Sequence, residues 1–503
     1  MASKPVRLQS KPGIYRDGTA LDSVGYTDGE WVRFYRGRPR KIGGYREIAD
    51  NFTGPVRGVH TYPRQLQNTI HTFSPSTVEQ VLVDGWGIGA AVADRTPAGF
   101  TARTDYAWQF DTFYDSAGGG KVMLVAHPGR NLGNIDNNLT TDVYYGEVNA
   151  AAALTTTSVA VSGGLVSIQP YLVLYGSNGV VMNSNTNSPT NFTTGQANTA
   201  NVAATKIVKG LPIRGSGNAP AALLWSLDSV IRMYWVGGGN VFEFDTVSSQ
   251  SSILSSSAVI EYDGAFYWPG VDRFLMFAGT VREVPNQFNL DWFFENLNFS
   301  QRQKVWVTKV PRYGEIWWFY PRGDASECTD AVIYNVREQV WYDAHRSRSA
   351  GASPQVFRFP VWADSEPNAS GKYSLWLHEF GKNRVKGSAV TALRSSYTTH
   401  ELGFPTGGPT GEAAAGEDRW TRSVRFEPNF VQAGDLRLEF LGQKYASSPA
   451  DVYDAGTFGP STEKLDFRVQ NRNYRVRVTS DEIDGDYYMG APLLHVEAGD
   501  ARQ

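Results

Sequence analysis

A chain of 503 residues with 47 Lys plus Arg against 50 Asp plus Glu carries a formal charge of -3, which excludes a uniformly basic nucleic-acid binder and leaves only local basic surface. Its single cysteine, Cys328, excludes an intrachain disulfide and a cysteine-rich zinc site. Aromatic residues at 13% and 51 glycines favour short strands and turns over long helices, and a chain this long divides into domains unless a radial repeat shares the burial.

The N-terminus, Met1 to Pro5, runs into polar residues without an apolar h-region, and no stretch approaches about 18 apolar residues; neither a signal peptide nor a membrane helix is expected. Residues 1–50 read as an N-terminal arm with the first strands. It is locally basic, with Trp31-Val32-Arg33-Phe34-Tyr35-Arg36 followed by Gly37-Arg38-Pro39-Arg40-Lys41. Residues 51–390 read as a β-propeller-like domain. Its early strands are expected at Val56 to Tyr62, Gln80 to Asp84, Tyr106 to Phe110 and Val122 to Ala126. Around 131–206 the composition shifts to Ala, Thr, Ser and Asn. This reads as an insertion of long loops around one hairpin, Leu165 to Ile168 with Tyr171 to Tyr175. The sequons at Asn51, Asn138 and Asn191 are chance matches in the absence of a secretion signal.

From Ala221 to Phe380 one short meander follows another. Leu223 to Leu227, Ile231 to Val236 and Val241 to Asp245 are apolar runs separated by Asp228-Ser229 and a glycine-rich turn. Val259 to Tyr262, Ala265 to Trp268 and Phe274 to Phe277 repeat the pattern, as do Val305 to Val310, Glu315 to Tyr320, Ala331 to Asn335 and Gln339 to Asp343. Each small sheet must bury a face on a neighbour, and a propeller of six or seven blades is the simplest such object. One helix is expected, with Leu290, Phe293, Phe294 and Leu297 on one face and Asn286 or Asn289 as cap. Residues 391–420 read as linker or long loop. Residues 421–503 alternate charged and apolar positions and read as a C-terminal β-sandwich. The expected class is therefore all-β: a β-propeller-like repeat of short antiparallel sheets with an additional sandwich.

Several chemistries have partial sequence support. Propeller glycosidases need two facing carboxylates, and Asp263, Asp272, Glu283 and Glu315 lie near strand ends; for each, turn or framework chemistry is the simpler reading. Asp28-Gly29-Glu30-Trp31 superficially matches an aspartate box but lacks its preceding Ser. Gly118-Gly119-Gly120-Lys121 lacks the Ser or Thr of a P-loop. The seven His show no paired metal spacing; His345, beside Arg346 and Arg348, reads as loop. Ser23, Ser229 and Ser347 have no nucleophile-elbow context. No catalytic group, cofactor or metal is nominated.

A dense signature remains: Glu261 to Trp268, Gly270 to Phe277, Gln301-Arg302-Gln303-Lys304-Val305-Trp306 and Gly314-Glu315-Ile316-Trp317-Trp318, with Asp22 to Tyr26, Trp31 to Phe34 and Pro39 to Tyr45 at the start and Arg475 to Val478 near the end. It resembles the tail-hub or nozzle proteins of short-tailed bacteriophages, also called packaged-DNA stabilisation proteins, over most of the chain and least across 131–206. The resemblance implies a structural virion protein made in the host cytoplasm and carrying no enzyme activity. It further implies a homo-hexamer below the portal and adaptor ring that conducts double-stranded DNA and bears fibres, spikes or a needle. The alternative is a tail-associated propeller that binds or cleaves carbohydrate.

Two basic features are candidate interfaces. Arg33, Arg36, Arg38, Arg40 and Lys41 fall within nine positions and form the candidate surface for a subunit, the adaptor or DNA. Arg422, Arg425, Arg437, Arg468, Arg472, Arg475 and Arg477 stud the C-terminal strands, where pairing with Glu427, Glu439 and Asp466 is the simpler expectation.

Overall fold

The computed structural model describes residues 3–63, 67–83, 92–104, 106–130, 141–159, 161–213, 219–352, 357–404, 419–445 and 447–501. Among them, six four-stranded antiparallel sheets follow in chain order and, with a seventh sheet that Arg384–Lys386 extends by a parallel pairing to Tyr45–Phe52, form the blades of a β-propeller. Blade 1 holds Gly58–Tyr62, Asn68–Phe73, Val78–Val83 and Ala93–Asp94; blade 2 Tyr106–Asp115, Lys121–Arg130, Thr141–Glu147 and Thr155–Val159. Blade 3 holds Gly164–Ile168, Tyr171–Tyr175, Val180–Asn183 and Asn198–Asn201; blade 4 Ile207–Pro212, Ala221–Ser226, Val230–Trp235 and Phe242–Ser248. Blade 5 holds Ile260–Tyr262, Ala265–Pro269, Phe274–Phe277 and Val281–Glu283; blade 6 Trp306–Val310, Glu315–Tyr320, Asp330–Asn335 and Val340–His345. Blade 7 takes Ala350–Ala352, Val361–Ala363 and Tyr373–His378 from late in the chain, and its fourth strand, Tyr45–Phe52, from the beginning. The first strands of blades 7 and 1 touch, which closes the ring.

Burial explains why these sequences make blades. Every wedge between neighbouring blades is filled by its own apolar cluster, so a central strand is buried on both faces and reads as a continuous hydrophobic run. In Glu315–Tyr320 the alternation divides the side chains: Ile316, Trp318 and Tyr320 face blade 5, while Trp317 and Phe319 face blade 7.

The structure departs from the sequence expectation in three places. The Ala/Thr/Asn-rich stretch supplies strands of blades 2 and 3, because its sparse apolar positions, Val143, Leu165, Leu172 and Leu174, all meet in one wedge. Its small polar residues occupy outer positions such as Asn198–Asn201. In the 391–420 segment, Ser395–Thr398 is a buried strand, paired on one side with Asp28–Glu30 and on the other with Asn473–Ser480; residues 405–418 lie outside the described ones, as do Asp84 and the Asn138 sequon. The expected helix forms at Leu290–Asn296 with Asn289 at the N-cap position, its carbonyl accepting from Phe293 N–H at 3.0 Å, but its side chain makes no capping bond. The carboxylate of Asp17 accepts from the N–H groups of Asp291 and Trp292 at 3.1 and 2.8 Å.

The arm of residues 1–50 is woven into the C-terminal sandwich. Lys4–Arg7 pairs with Leu493–Ala501, and Arg38–Lys41 joins Asp486–Met489 through Arg40 and Tyr488. Tyr26, Trp31 and Phe34 from the arm share one apolar core with Leu438, Phe440 and Val476 of the sandwich. Trp317 and Phe319 of blade 6 and Trp362 and Trp376 of blade 7 belong to that same core. The sandwich therefore has no core separate from the propeller.

Candidate partner interface

The hairpin Val32–Tyr35 and Arg38–Lys41 turns through Arg36 and Gly37, both at positive φ (52° and 70°), the pair of left-handed positions a two-residue hairpin loop requires. Both turn N–H groups donate to the carboxylate of Glu338, at 3.0 and 3.2 Å, which holds the tip against blade 6.

The hairpin distributes its five basic residues unequally. Arg33 is buried at 0% exposure between blades 6 and 7. Its Nε and Nη2 donate to Glu315 at 2.7 and 3.0 Å, and its Nη1 and Nη2 donate to Glu379 at 2.8 and 2.6 Å. The Tyr342 hydroxyl and the Trp317 indole N–H donate to the same Glu315 carboxylate at 2.6 and 2.9 Å. The guanidinium lies 3.6 Å from the ring centre of Tyr313. Burial opposes the charge of Arg33, yet the pull of Glu315 and then Glu379 holds it well above its ordinary pKa. Gly43 fits beside this cluster because a Cβ there would stand 2.8 Å from Glu379 Oε2.

Lys41 is also buried. Burial pushes its ammonium down to about 8, against the pull of Asp486 and Asp481, and its Nζ reaches Ser480 Oγ at 3.4 Å. Arg33 and Lys41 are thus framework residues of the junction and leave the candidate surface, because their side chains point into the packed interior. Local sequence hides this: Glu315 lies 282 positions from Arg33.

Arg36 remains exposed, and Arg38 and Arg40 are partly so. Two arginines that the sequence reading missed, Arg312 and Arg337, join them from the turns of blade 6. Tyr35 and Tyr313 meet edge to face at 5.9 Å in the middle, with Arg36 and Arg40 over Tyr35 and Arg40 and Arg312 over Tyr313 at 5.2 to 5.7 Å. Among the described residues none of these five arginines has a carboxylate within ion-pair distance. Arginine side chains over tyrosine rings with no ion pair of their own suit an anionic partner surface.

The C-terminal arginines behave differently. Arg425 meets Asp466 at 2.6 Å, Arg437 meets Asp454 at 2.5 Å, and Arg477 meets Glu439 at 2.8 Å; Glu427 instead faces His495 at 2.8 Å. These are cross-strand pairs on two sheets of the C-terminal part.

The four weighed acids are not assembled. Glu315 is consumed by the Arg33 cluster. Asp263 and Asp272 sit in turns at opposite ends of the Ala265–Pro269 strand, and Glu283 lies exposed on the last strand of blade 5. Side chains of Arg57, Trp108, Phe110, Lys209 and Trp306, on or beside the first strands of blades 1, 2, 4 and 6, border a cavity of about 170 Å³. Among the described residues no group of three His, Cys, Asp or Glu is arranged to hold a metal, and no helix is long and apolar enough to cross a membrane.

No family model matches the chain, and no curated protein matches it. Solved structures with partial likeness include an exo-β-1,3-galactanase from Phanerochaete chrysosporium, 9% identical over 90% of this chain and 99% of that one with a TM-score of 0.32. Another is BBS1N in complex with ARL6DN, 7% identical over 67% of this chain and 97% of that one with a TM-score of 0.41. Likeness this slight transfers neither activity nor partner.

Proposed function

We propose that the chain is the tail nozzle subunit of a short-tailed bacteriophage, a structural virion protein that assembles as a hexamer below the portal and adaptor. In that role it retains the packaged genome and conducts it during ejection. The observation that carries this reading is where the signature residues lie. Of these, Asp22 to Tyr45, Gln301 to Trp318 and Arg475 to Val478 come from three distant parts of the chain and contribute to the single core that joins sandwich to blades 6 and 7, while Glu261 to Phe277 packs in the wedges on either side of blade 5. A ring under internal pressure needs such a close-packed, aromatic junction, since dense interiors deform little.

The conduit then runs between subunits. The cavity of about 170 Å³ among the inner strands is far smaller than a turn of duplex DNA. The exposed Arg36, Arg40 and Arg312 surface serves contact with adaptor, neighbour or DNA. Negative-stain microscopy of the purified protein mixed with phage adaptor rings tests the proposal: six-fold or adaptor-capped rings are expected, and a persistent monomer with adaptor at high concentration would refute it.

One observation favours the carbohydrate-binding alternative. A groove of about 460 Å³ between the outer strands of blades 3 and 4 is lined by Asn183, Asn198, Thr199 and Asn201 beside Phe242 and Phe244, amides and rings of the kind that hold sugars. Saturable binding of host surface polysaccharide, lost in Asn198→Ala, would support it.

A further inference from the structure

A second basic site lies apart from the hairpin surface. Between blades 6 and 7 a cavity of about 280 Å³ is walled by Arg346 and Arg348 from the connection between the blades, Asp364 and Trp376 from blade 7, and Arg384 and Lys386 from the strand beside it. Trp31 and Tyr45 form its inner support, with the Arg346 guanidinium 4.4 Å from the Trp31 ring centre and its Nη1 donating to the Tyr45 hydroxyl at 2.8 Å.

Arg348 is the key group. It is 3% exposed, its Nε donates to His378 Nε2 at 3.0 Å, and its Nη1 donates to the Ser347 carbonyl at 2.7 Å and to Asp364. Its Nη2 is buried and has no partner, and neither has the Nε of Arg346. Arg384 stacks 5.3 Å from the Trp376 ring centre, and Lys386 stands 3.0 Å from Glu47. Against these cations the cavity wall offers two carboxylates, Asp364 and Glu366, with His345 at its edge. Among the described residues neither Arg346 nor Arg384 has a carboxylate within ion-pair distance. Burial, opposed by Asp364, and then the like charges of Arg346 and Arg384 hold Arg348 below its ordinary pKa, while a guanidinium keeps its proton throughout the accessible range. A buried donor left unmatched is costly, and planar guanidinium forks recognise tetrahedral oxyanions through paired N–H groups.

We infer that this cavity binds a small oxyanion of the phosphate class, held by the Arg346 and Arg384 guanidinium groups, with the buried Arg348 guanidinium adding positive charge behind them. The site is independent of the nozzle reading. It is separate from the Arg36 and Arg312 surface, and its size admits a phosphate carrying a short organic stem.

Calorimetric titration of the intact protein with inorganic phosphate at about pH 7.5 tests it. Saturable binding at about one site per chain is expected, with little competition from acetate. Arg384→Gln, at an exposed position where folding is unaffected, weakens binding about tenfold, Arg346→Gln combined with it abolishes binding, and Arg312→Gln leaves it unchanged. Tighter binding of glycerol 1-phosphate than of phosphate assigns the site to a phosphomonoester, and equal or weaker binding assigns it to the free ion. Absence of saturable binding, or binding unaltered in a natively folded Arg384→Gln protein, would overturn the inference.

Discussion

The wedge between blades 6 and 7 and the wedge between blades 2 and 3 are built on one plan and filled with different material. The first holds Trp306, Trp317, Trp362 and Trp376, receives the Trp31 to Lys41 hairpin, and encloses the Arg33, Glu315 and Glu379 cluster. The second holds Val125, Val143, Leu165, Leu172 and Leu174, and beyond it the outer strand Asn198–Asn201 of blade 3 lies exposed to solvent. Apolar burial with a few hydrogen bonds, such as Gln109 to the Gly163 carbonyl and Ser167 N–H to Asp111, suffices to close that wedge. The aromatic and ionic excess at the other wedge answers a different demand, that of fixing a second fold to the ring.

The largest effect is expected where that excess is removed. Arg33→Met leaves two buried carboxylates without their cation and destabilises the protein by about 3–5 kcal/mol, read from urea midpoints. Replacing the cluster as a whole, with Arg33→Met, Glu315→Gln and Glu379→Gln together, restores much of that loss. A triple variant as unstable as the single one would show that the charges are not the main contribution.

A second effect is spread over the propeller and follows pH. Burial pushes His60 down to about 4 and His127 down to about 3, and burial then neighbouring positive charge holds His71 and His378 well below the ordinary value. The folded protein therefore refuses protons that the unfolded chain accepts near pH 6.5, so stability falls as pH drops from about 6.5 toward 4 and is insensitive to these groups above that window. Each such histidine contributes up to about 1.4 kcal/mol per pH unit. Denaturation midpoints at about pH 7.5, 6 and 5 should decline in that order; a flat profile would mean these histidines are solvated or already charged.

Smaller effects separate surface from framework. Arg36→Glu with Arg40→Glu changes stability by less than about 0.5 kcal/mol yet abolishes ring formation with adaptor, whereas unchanged assembly would remove the hairpin surface from the interface. Asn198→Ala, on the outer strand of blade 3, is likewise expected to stay within about 0.5 kcal/mol, and a larger loss would show that this edge is packed in the assembly.

What the sequence revealed follows from distance along the chain. Glu315–Tyr320 was legible because burial on both faces leaves a continuous apolar run, and the hairpin turn was legible in Gly37. The helix was legible in its spacing and in Asn289 at its N-cap position, though not in the Asp17 carboxylate that takes its first N–H groups, since Asp17 and Trp292 are 275 positions apart. The 131–206 strands were obscured because their few apolar residues reach burial only through neighbouring blades. The basic run was visible, while its division into framework Arg33 and Lys41 and surface Arg36 and Arg40 depends on partners in blades 6 and 7 and the sandwich that no local pattern encodes.

Sandwich and propeller form a single mechanical body through one shared core. Differential scanning calorimetry of the intact chain tests it most directly. One cooperative unfolding transition is expected, splitting in two when Arg33→Met weakens the junction; two well-separated transitions in the unaltered protein would contradict the account.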